Sequence, residues 1–254
     1  MLAIIPAAGF GKRMSGLTRG RAKELLPIHR RHMIDYALEE VIGAGISKLL
    51  IVISPRKEEL KEHLTTEWSR RPPLLSFIYQ NEPLGLADAI YRCRNYIENS
   101  MFAVLLPDNI FIGNPPLKSL IDVAKKYKKS VTSLIKVKDV EASYFGNCGG
   151  VEVSQYNGEI FEVKKLEDKK PGSFSTRGKP DVLRTFPRHI FTRELFEYID
   201  RLRGKTEGEF DDVPVLQEMV REGKILGVLV RGKAFDVGSP EGYRHAESCL
   251  KSRR

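Results

Sequence analysis

The sequence predicts a doubly wound α/β fold: a mostly parallel, Rossmann-like sheet with an inserted antiparallel portion. Three observations predict it. Apolar runs such as Leu49-Leu50-Ile51-Val52-Ile53 carry no polar alternation, which suits strands buried on both faces. Segments with helical spacing separate these runs through the first 110 residues. From 144 to 191 the pattern changes to short alternating stretches richer in glycine and polar residues.

Residues 2–6 read as a buried strand that empties into Gly9-Phe10-Gly11. Residues 34–42 have helical spacing and stop at Gly43-Ala44-Gly45. Strands follow at 49–53, 75–79 and 102–106, with a polar helix at 56–64 and a further helix at 86–96. A helix at 117–127 and a strand at 131–137 come next. Short strands at Gly150–Val153 and Glu159–Val163 then suggest an inserted antiparallel lid or substrate half. Helices at about 192–203 and 213–222, a strand at 225–230 and a helix at 240–251 complete the chain. The expected organisation is one domain over 1–254, with a first half at 1–110, a second portion at about 111–240, and the C-terminal helix.

Composition narrows the function. The chain has 254 residues and 41% hydrophobic content, enough for one sizeable core. No apolar run approaches the ~18 residues a membrane helix needs. The N-terminus lacks a basic region and Pro6 interrupts its apolar run, so no signal peptide is expected. Cys93, Cys148 and Cys249 lie far apart and form no C-x-x-C, which fits reduced thiols and a cytoplasmic protein. The net charge is +9, and between residues 12 and 31 it concentrates: Lys12, Arg13, Arg19, Arg21, Lys23, Arg30 and Arg31 face a single acid, Glu24. No aromatic residues interleave there to stack bases, so a small phosphorylated ligand is favoured over nucleic acid.

Backbone N–H groups freed by small residues, with Arg and Lys beside them, suit a polyphosphate. The loop is neither a dinucleotide fingerprint nor a Walker loop. The third glycine of the former would fall at Met14, no acid follows the strand ending at Ile53, and no G-K-[ST] is present. Asp108 ends the strand Val104-Leu105-Leu106-Pro107, and Asp236 ends Lys233-Ala234-Phe235. Each is a turn or cap residue or one of a sparse carboxylate pair for Mg²⁺ bound together with phosphate oxygens. Gln80, just past a strand and followed by Pro83-x-Gly85-Leu86-Ala87, is a loop residue whose amide can read a base edge. Asp211-Asp212 before Pro214 reads as an exposed helix start.

Four motifs in order carry a family resemblance: Gly9-x-Gly11-x-Arg13 with Lys23-Glu24-Leu25-Leu26-Pro27; Gln80-x-x-Pro83-x-Gly85-Leu86-Ala87; Leu106-Pro107-Asp108-Asn109-Ile110-Phe111; and Phe235-Asp236-x-Gly238-Ser239-Pro240-Glu241-Gly242-Tyr243. Together they resemble the sugar-1-phosphate nucleotidyltransferases, above all those acting on glucose-1-phosphate with UTP or dTTP. The resemblance implies that Ala8, Gly9 and Gly11 contact nucleoside and phosphates, and that Arg13 holds the leaving pyrophosphate. It implies that Lys23 bridges the reacting phosphates and that Gln80 and Gly85 read the base. Asp108 and Asp236 would hold Mg²⁺, and Asn109, Gly149 and Lys165 would meet the sugar phosphate in an antiparallel sugar-binding portion. Departures are local: Lys12 stands for the usual Thr, Ala22 for Pro, and Lys164-Lys165-Leu166 for Glu-Lys-Pro. The implied partners are an NTP and a sugar-1-phosphate, with no nucleic acid and no membrane; a homo-oligomer is compatible. Two other readings remain: a nucleotide-sugar-dependent glycosyltransferase, and a non-catalytic nucleotide-binding relative.

Overall fold

Leu2, Ala3, Ile4 and Ile5 are all buried, and neighbours along this strand face opposite layers. Ala3 and Ile5 join one apolar cluster, whereas Leu2 and Ile4 join a second. A strand with two dry faces needs helices on both sides, and the rest of the chain supplies them.

The computed structural model describes residues 1–68, 73–98, 101–146, 150–168, 174–176, 178–205 and 208–251. The chain opens with β1 (Leu2–Pro6), α1 (Ser15–Thr18), β2 (Pro27–Ile28), β3 (Arg31–His32) and α2 (Met33–Gly43). Next come β4 (Lys48–Ile53), α3 (Glu58–His63), β5 (Leu74–Tyr79), α4 (Leu86–Tyr91) and β6 (Phe102–Leu105). The middle holds β7 (Asn109–Ile112), α5 (Leu117–Tyr127), β8 (Ser130–Lys138), β9 (Val151–Asn157), β10 (Ile160–Leu166) and β11 (Asp181–Phe191). The last part is α6 (Leu195–Leu202), α7 (Val213–Arg221), β12 (Ile225–Leu229), β13 (Lys233–Asp236) and α8 (Pro240–Lys251).

The main sheet has nine strands in the order β5-β4-β1-β6-β11-β8-β12-β10-β9. Strands β5, β4, β1 and β6 run parallel; β11 and β10 run against their neighbours. One face is covered by apolar residues of α2, α3 and α5, such as Ile34, Leu60 and Leu120. The other is covered by α4, α6 and α7 through Ile90, Phe196 and Met219. The expected doubly wound, mostly parallel sheet is therefore present, with β9 and β10 as an antiparallel hairpin at its edge. Among the described residues no helix is long and apolar enough to cross a membrane. Cys93 and Cys249 are free thiols, and burial pushes Cys93 up to about 12; Cys148 lies outside the described residues.

One expectation is corrected. The stretch up to 191 does not hold only short alternating strands, because β11 is an eleven-residue strand in the middle of the sheet. Its sequence hides this. Arg184 and Arg188 are charged yet fully buried, and Pro187 cannot donate to a ladder. The strand accommodates Pro187 with a register shift between Phe186 and His189.

A small sheet of β7 and β13 places Asp236 opposite Asn109. That pairing joins two parts of the chain that the sequence separates by more than a hundred residues.

Candidate active site

In open α/β sheets ligands gather beyond the carboxyl ends of the strands, and here the loops after β1, β6 and β13 converge there. After β1 the chain turns through Gly11, which has φ of 64°. A Cβ at Gly11 would stand 3.2 Å from the Lys23 side chain, so the glycine lets that lysine lie across the loop. A short 3-10 turn over Lys23–Leu25 then sets Lys23 and Glu24 side by side. Glu24 is fully buried and accepts from Lys57 Nζ at 2.7 Å, and the same ammonium donates to the Ala7 carbonyl at 2.7 Å. Burial holds Lys57 below its ordinary range despite that carboxylate. Glu59 on α3 accepts from the Ala22 N–H. The loop is thus tied to α3 at two points.

Lys23 Nζ reaches Asp108 Oδ2 at 2.6 Å. Burial pulls the lysine down, but the Asp108 and Glu24 carboxylates outweigh it, and its affinity for the proton is raised. The turn carrying Asp108 is held from behind. Arg188 Nε donates to Glu40 Oε2 at 2.7 Å, Nη1 to the Leu106 carbonyl at 3.1 Å, and Nη2 to the Asn109 carbonyl at 2.7 Å. Asn109 Nδ2 donates to Asp108 Oδ1 at 3.0 Å. From the other side, the Val237 N–H donates to the Asp108 carbonyl at 2.8 Å.

Asp236 accepts from the Gly146 N–H at 3.0 Å and the Gly238 N–H at 3.1 Å. Burial pushes its carboxyl above the ordinary range, with Arg184 acting in the opposite direction and Asp108 adding to the rise. Gly238 is small for a reason. A Cβ there would stand 2.9 Å from Asp108 Oδ2 and 3.3 Å from Asp236 Oδ1, so oxygens of both carboxylates border one shared space. Arg184 is fully buried, lies 4.4 Å from the Phe145 ring centroid, and its three guanidinium nitrogens make no hydrogen bond.

Two cavities meet here. One is bordered by Ala8, Gly9, Lys23, Gln80 and Gly85, the other by Asn109, Glu167, Thr185, His189 and Asp236. Arg13, Leu106 and Asp108 belong to both, so the two form one two-chambered site. Gln80 is buried, and its Nε2 donates to Asp88 at 2.8 Å and to the Gly85 carbonyl at 3.1 Å. That leaves the amide oxygen as the acceptor Gln80 can offer a base. Gly85, at φ of 101°, is required by its backbone surroundings: a Cβ would fall 2.3 Å from the Phe210 carbonyl oxygen.

The structure brings Ala8, Gly9, Gly11, Arg13, Lys23, Gln80, Gly85, Asp108, Asn109 and Asp236 to this region. It does not bring Lys165. A β-bulge between Val163 and Lys165 breaks the alternation, so Lys164 and Lys165 both point outward. Their partners are Glu162 and Glu152. Leu166 and Glu167 line the second cavity instead. Gly149 lies outside the described residues. A second correction concerns Asp211 and Asp212, which are half-buried and border the first and second cavity respectively. Glu40, Arg184 and Arg188 are marked in the sequence only as charges inside otherwise apolar stretches, and Lys57, in the polar run Arg56-Lys57-Glu58-Glu59, carries no such mark.

A parallel α/β sheet with cations and two carboxylates gathered around a two-chambered cleft defines a phosphate-handling enzyme of the transferase type. The Nucleotidyl transferase family matches residues 2–253, and the chain belongs to that family. It is 30% identical over 262 residues to a UTP–glucose-1-phosphate uridylyltransferase of Bacillus subtilis (strain 168), covering 95% of this chain and 87% of the relative. It is 28% identical over 267 residues to the protein of the same name from Pseudomonas aeruginosa, covering 96% and 93%. Among solved structures, a UDP-glucose pyrophosphorylase complexed with UDP-glucose superposes with a TM-score of 0.83 at 26% identity, covering 100% of this chain and 99% of that one.

Proposed function

We propose that this protein joins a sugar-1-phosphate to a nucleoside triphosphate, releasing pyrophosphate and leaving a nucleoside diphosphate sugar, with glucose-1-phosphate and UTP as the first pair to test. The observation that carries the reading is the junction of the two cavities at Arg13 and Asp108, with Lys23 and Asp236 beside it. Membership of the nucleotidyl transferase family and the names of the relatives support the same substrates.

The base and ribose belong in the cavity of Gln80 and Gly85, where the fixed Gln80 oxygen suits the N3–H shared by uracil and thymine. The sugar phosphate belongs in the cavity of Asn109, Glu167, Thr185 and His189, where Glu167 offers acceptors for hydroxyl groups. A phosphate oxygen of the sugar-1-phosphate attacks the α-phosphorus in line, and pyrophosphate leaves toward Arg13 and the glycine loop. The nucleophile is already an anion, so no general base is needed. Lys23 moves from Asp108 to the reacting phosphates and neutralises charge as it builds.

Asp108 and Asp236 fit a magnesium ion, because two carboxylates bordering one space are hard oxygen donors and phosphate oxygens complete the shell. Bound there, magnesium would supply charge neutralisation on the phosphate oxygens. The test is a grid of NTPs against sugar-1-phosphates, read by pyrophosphate release and by mass spectrometry of the product. A nucleoside diphosphate released without pyrophosphate would identify a glycosyltransferase and overturn the reading.

A further inference from the structure

We propose that His32, Asp35 and His63 form a second metal site, built for a zinc-class divalent cation and separate from the carboxylates of the active site. One ligand atom from each residue lies within 4.8 Å of the others. His63 Nε2 stands 2.9 Å from Asp35 Oδ1, and His32 Nδ1 stands 3.5 Å from Asp35 Oδ2. Ligands on a tetrahedral zinc, bonded at about 2.0–2.1 Å, lie about 3.3 Å from each other. Each imidazole nitrogen therefore faces a different oxygen of the one carboxylate at a spacing near that value, as a carboxylate holding the ion through both oxygens would require. The ligand nitrogens of the two imidazoles lie within 4.8 Å of each other, and the His32 side chain is 39% exposed.

The donor set selects the ion. Two imidazole nitrogens with one carboxylate suit zinc and its transition-metal neighbours, whereas magnesium prefers oxygen. Outer hydrogen bonds already aim the carboxylate. Trp68 Nε1–H donates to Asp35 Oδ1 at 3.0 Å, and the His32 N–H donates to Oδ2 at 2.9 Å.

His63 closes α3 where the chain widens into a π-turn over Leu64–Trp68, a local irregularity that recurs at functional sites. Glu67 on that turn borders the same surface pocket. Arg30 and Arg31 border it too, and Arg31 is neutralised by Glu39. The pocket shares no bordering residue with the two catalytic cavities. The consequence for the fold follows from α3, which already ties down the phosphate loop through Lys57–Glu24 and Glu59–Ala22. A cation here would pin β3 and the start of α2 to the far end of the same helix.

The test uses the untagged full chain stripped with chelator, with Asp236→Asn to separate zinc held by the active-site carboxylates from zinc held here. Equilibrium dialysis against ZnCl₂ should give one zinc per chain and a zinc-dependent rise in melting temperature. Cobalt in place of zinc should give an intense tetrahedral visible band. His32→Ala, at the half-buried residue before α2, should weaken zinc binding at least about tenfold. It should also lose the cobalt band, as should His63→Gln, while Asp236→Asn should keep both. No stoichiometric zinc in the wild type, undiminished zinc in both histidine variants, or loss of zinc only in Asp236→Asn would each overturn the proposal.

Discussion

Replacing Arg188 with methionine tests how the fold holds its catalytic turn. Arg188 is fully buried, Glu40 is 4% exposed, and their pair is 2.7 Å long. Removing one partner leaves a carboxylate uncompensated in the core, which costs about 3–5 kcal/mol. At roughly 2–4 °C per kcal/mol for a domain of this size, the melting temperature should fall by about 6–20 °C. The double variant Arg188→Met/Glu40→Met leaves no buried charge. It should recover most of the loss, keeping only the cost of two carbonyls, Leu106 and Asn109, that lose their donor. Those carbonyls flank Asp108, so kcat should fall in both variants even where stability returns. Thermal melts of the four proteins in the double-mutant cycle measure the coupling. If the single-variant losses simply add, or if Arg188→Met melts with the wild type, the pair does not hold the turn as described.

Gly85→Ala must place a Cβ against the Phe210 carbonyl at a positive φ. It should cost at least about 1–3 kcal/mol and raise KM for the nucleotide, as melts and steady-state kinetics would show. Asp236→Asn should stabilise the metal-free fold at neutral pH while removing activity. The sign follows from burial, which raises this carboxyl in the folded state, so its ionised form is a penalty at neutral pH that acid relieves. The stability gap between variant and wild type should therefore shrink as pH falls through the raised value and vanish below the ordinary 3.8, as melts across pH would show. Arg13→Ala should weaken binding of pyrophosphate in the reverse reaction more than binding of the nucleoside diphosphate sugar.

The strands β1, β4 and β6 were legible because a strand buried on both faces must be apolar nearly throughout. Strand β11 was not, since its charges are satisfied only by tertiary partners: Arg188 by Glu40, and Arg184 by the Phe145 and Phe174 rings. Lys23, Asp108 and Asp236 were legible as residue types at strand ends. Their convergence was legible only through the family resemblance, because the pairing of β7 with β13 that joins the two carboxylates leaves no local signal. Lys165 shows the limit of motif spacing. A single extra residue in β10 turns the motif's lysine outward and carries Glu167 into the cavity, and a bulge leaves no mark in the sequence at that point.

Lys23 is proposed to neutralise the phosphates that react. Pyrophosphate release from UTP and glucose-1-phosphate, compared between wild type and Lys23→Ala of equal stability, tests it most directly. The wild type should release pyrophosphate steadily, and the variant should be slower by a factor on the order of 10²–10³. Equal rates in the two proteins would contradict it.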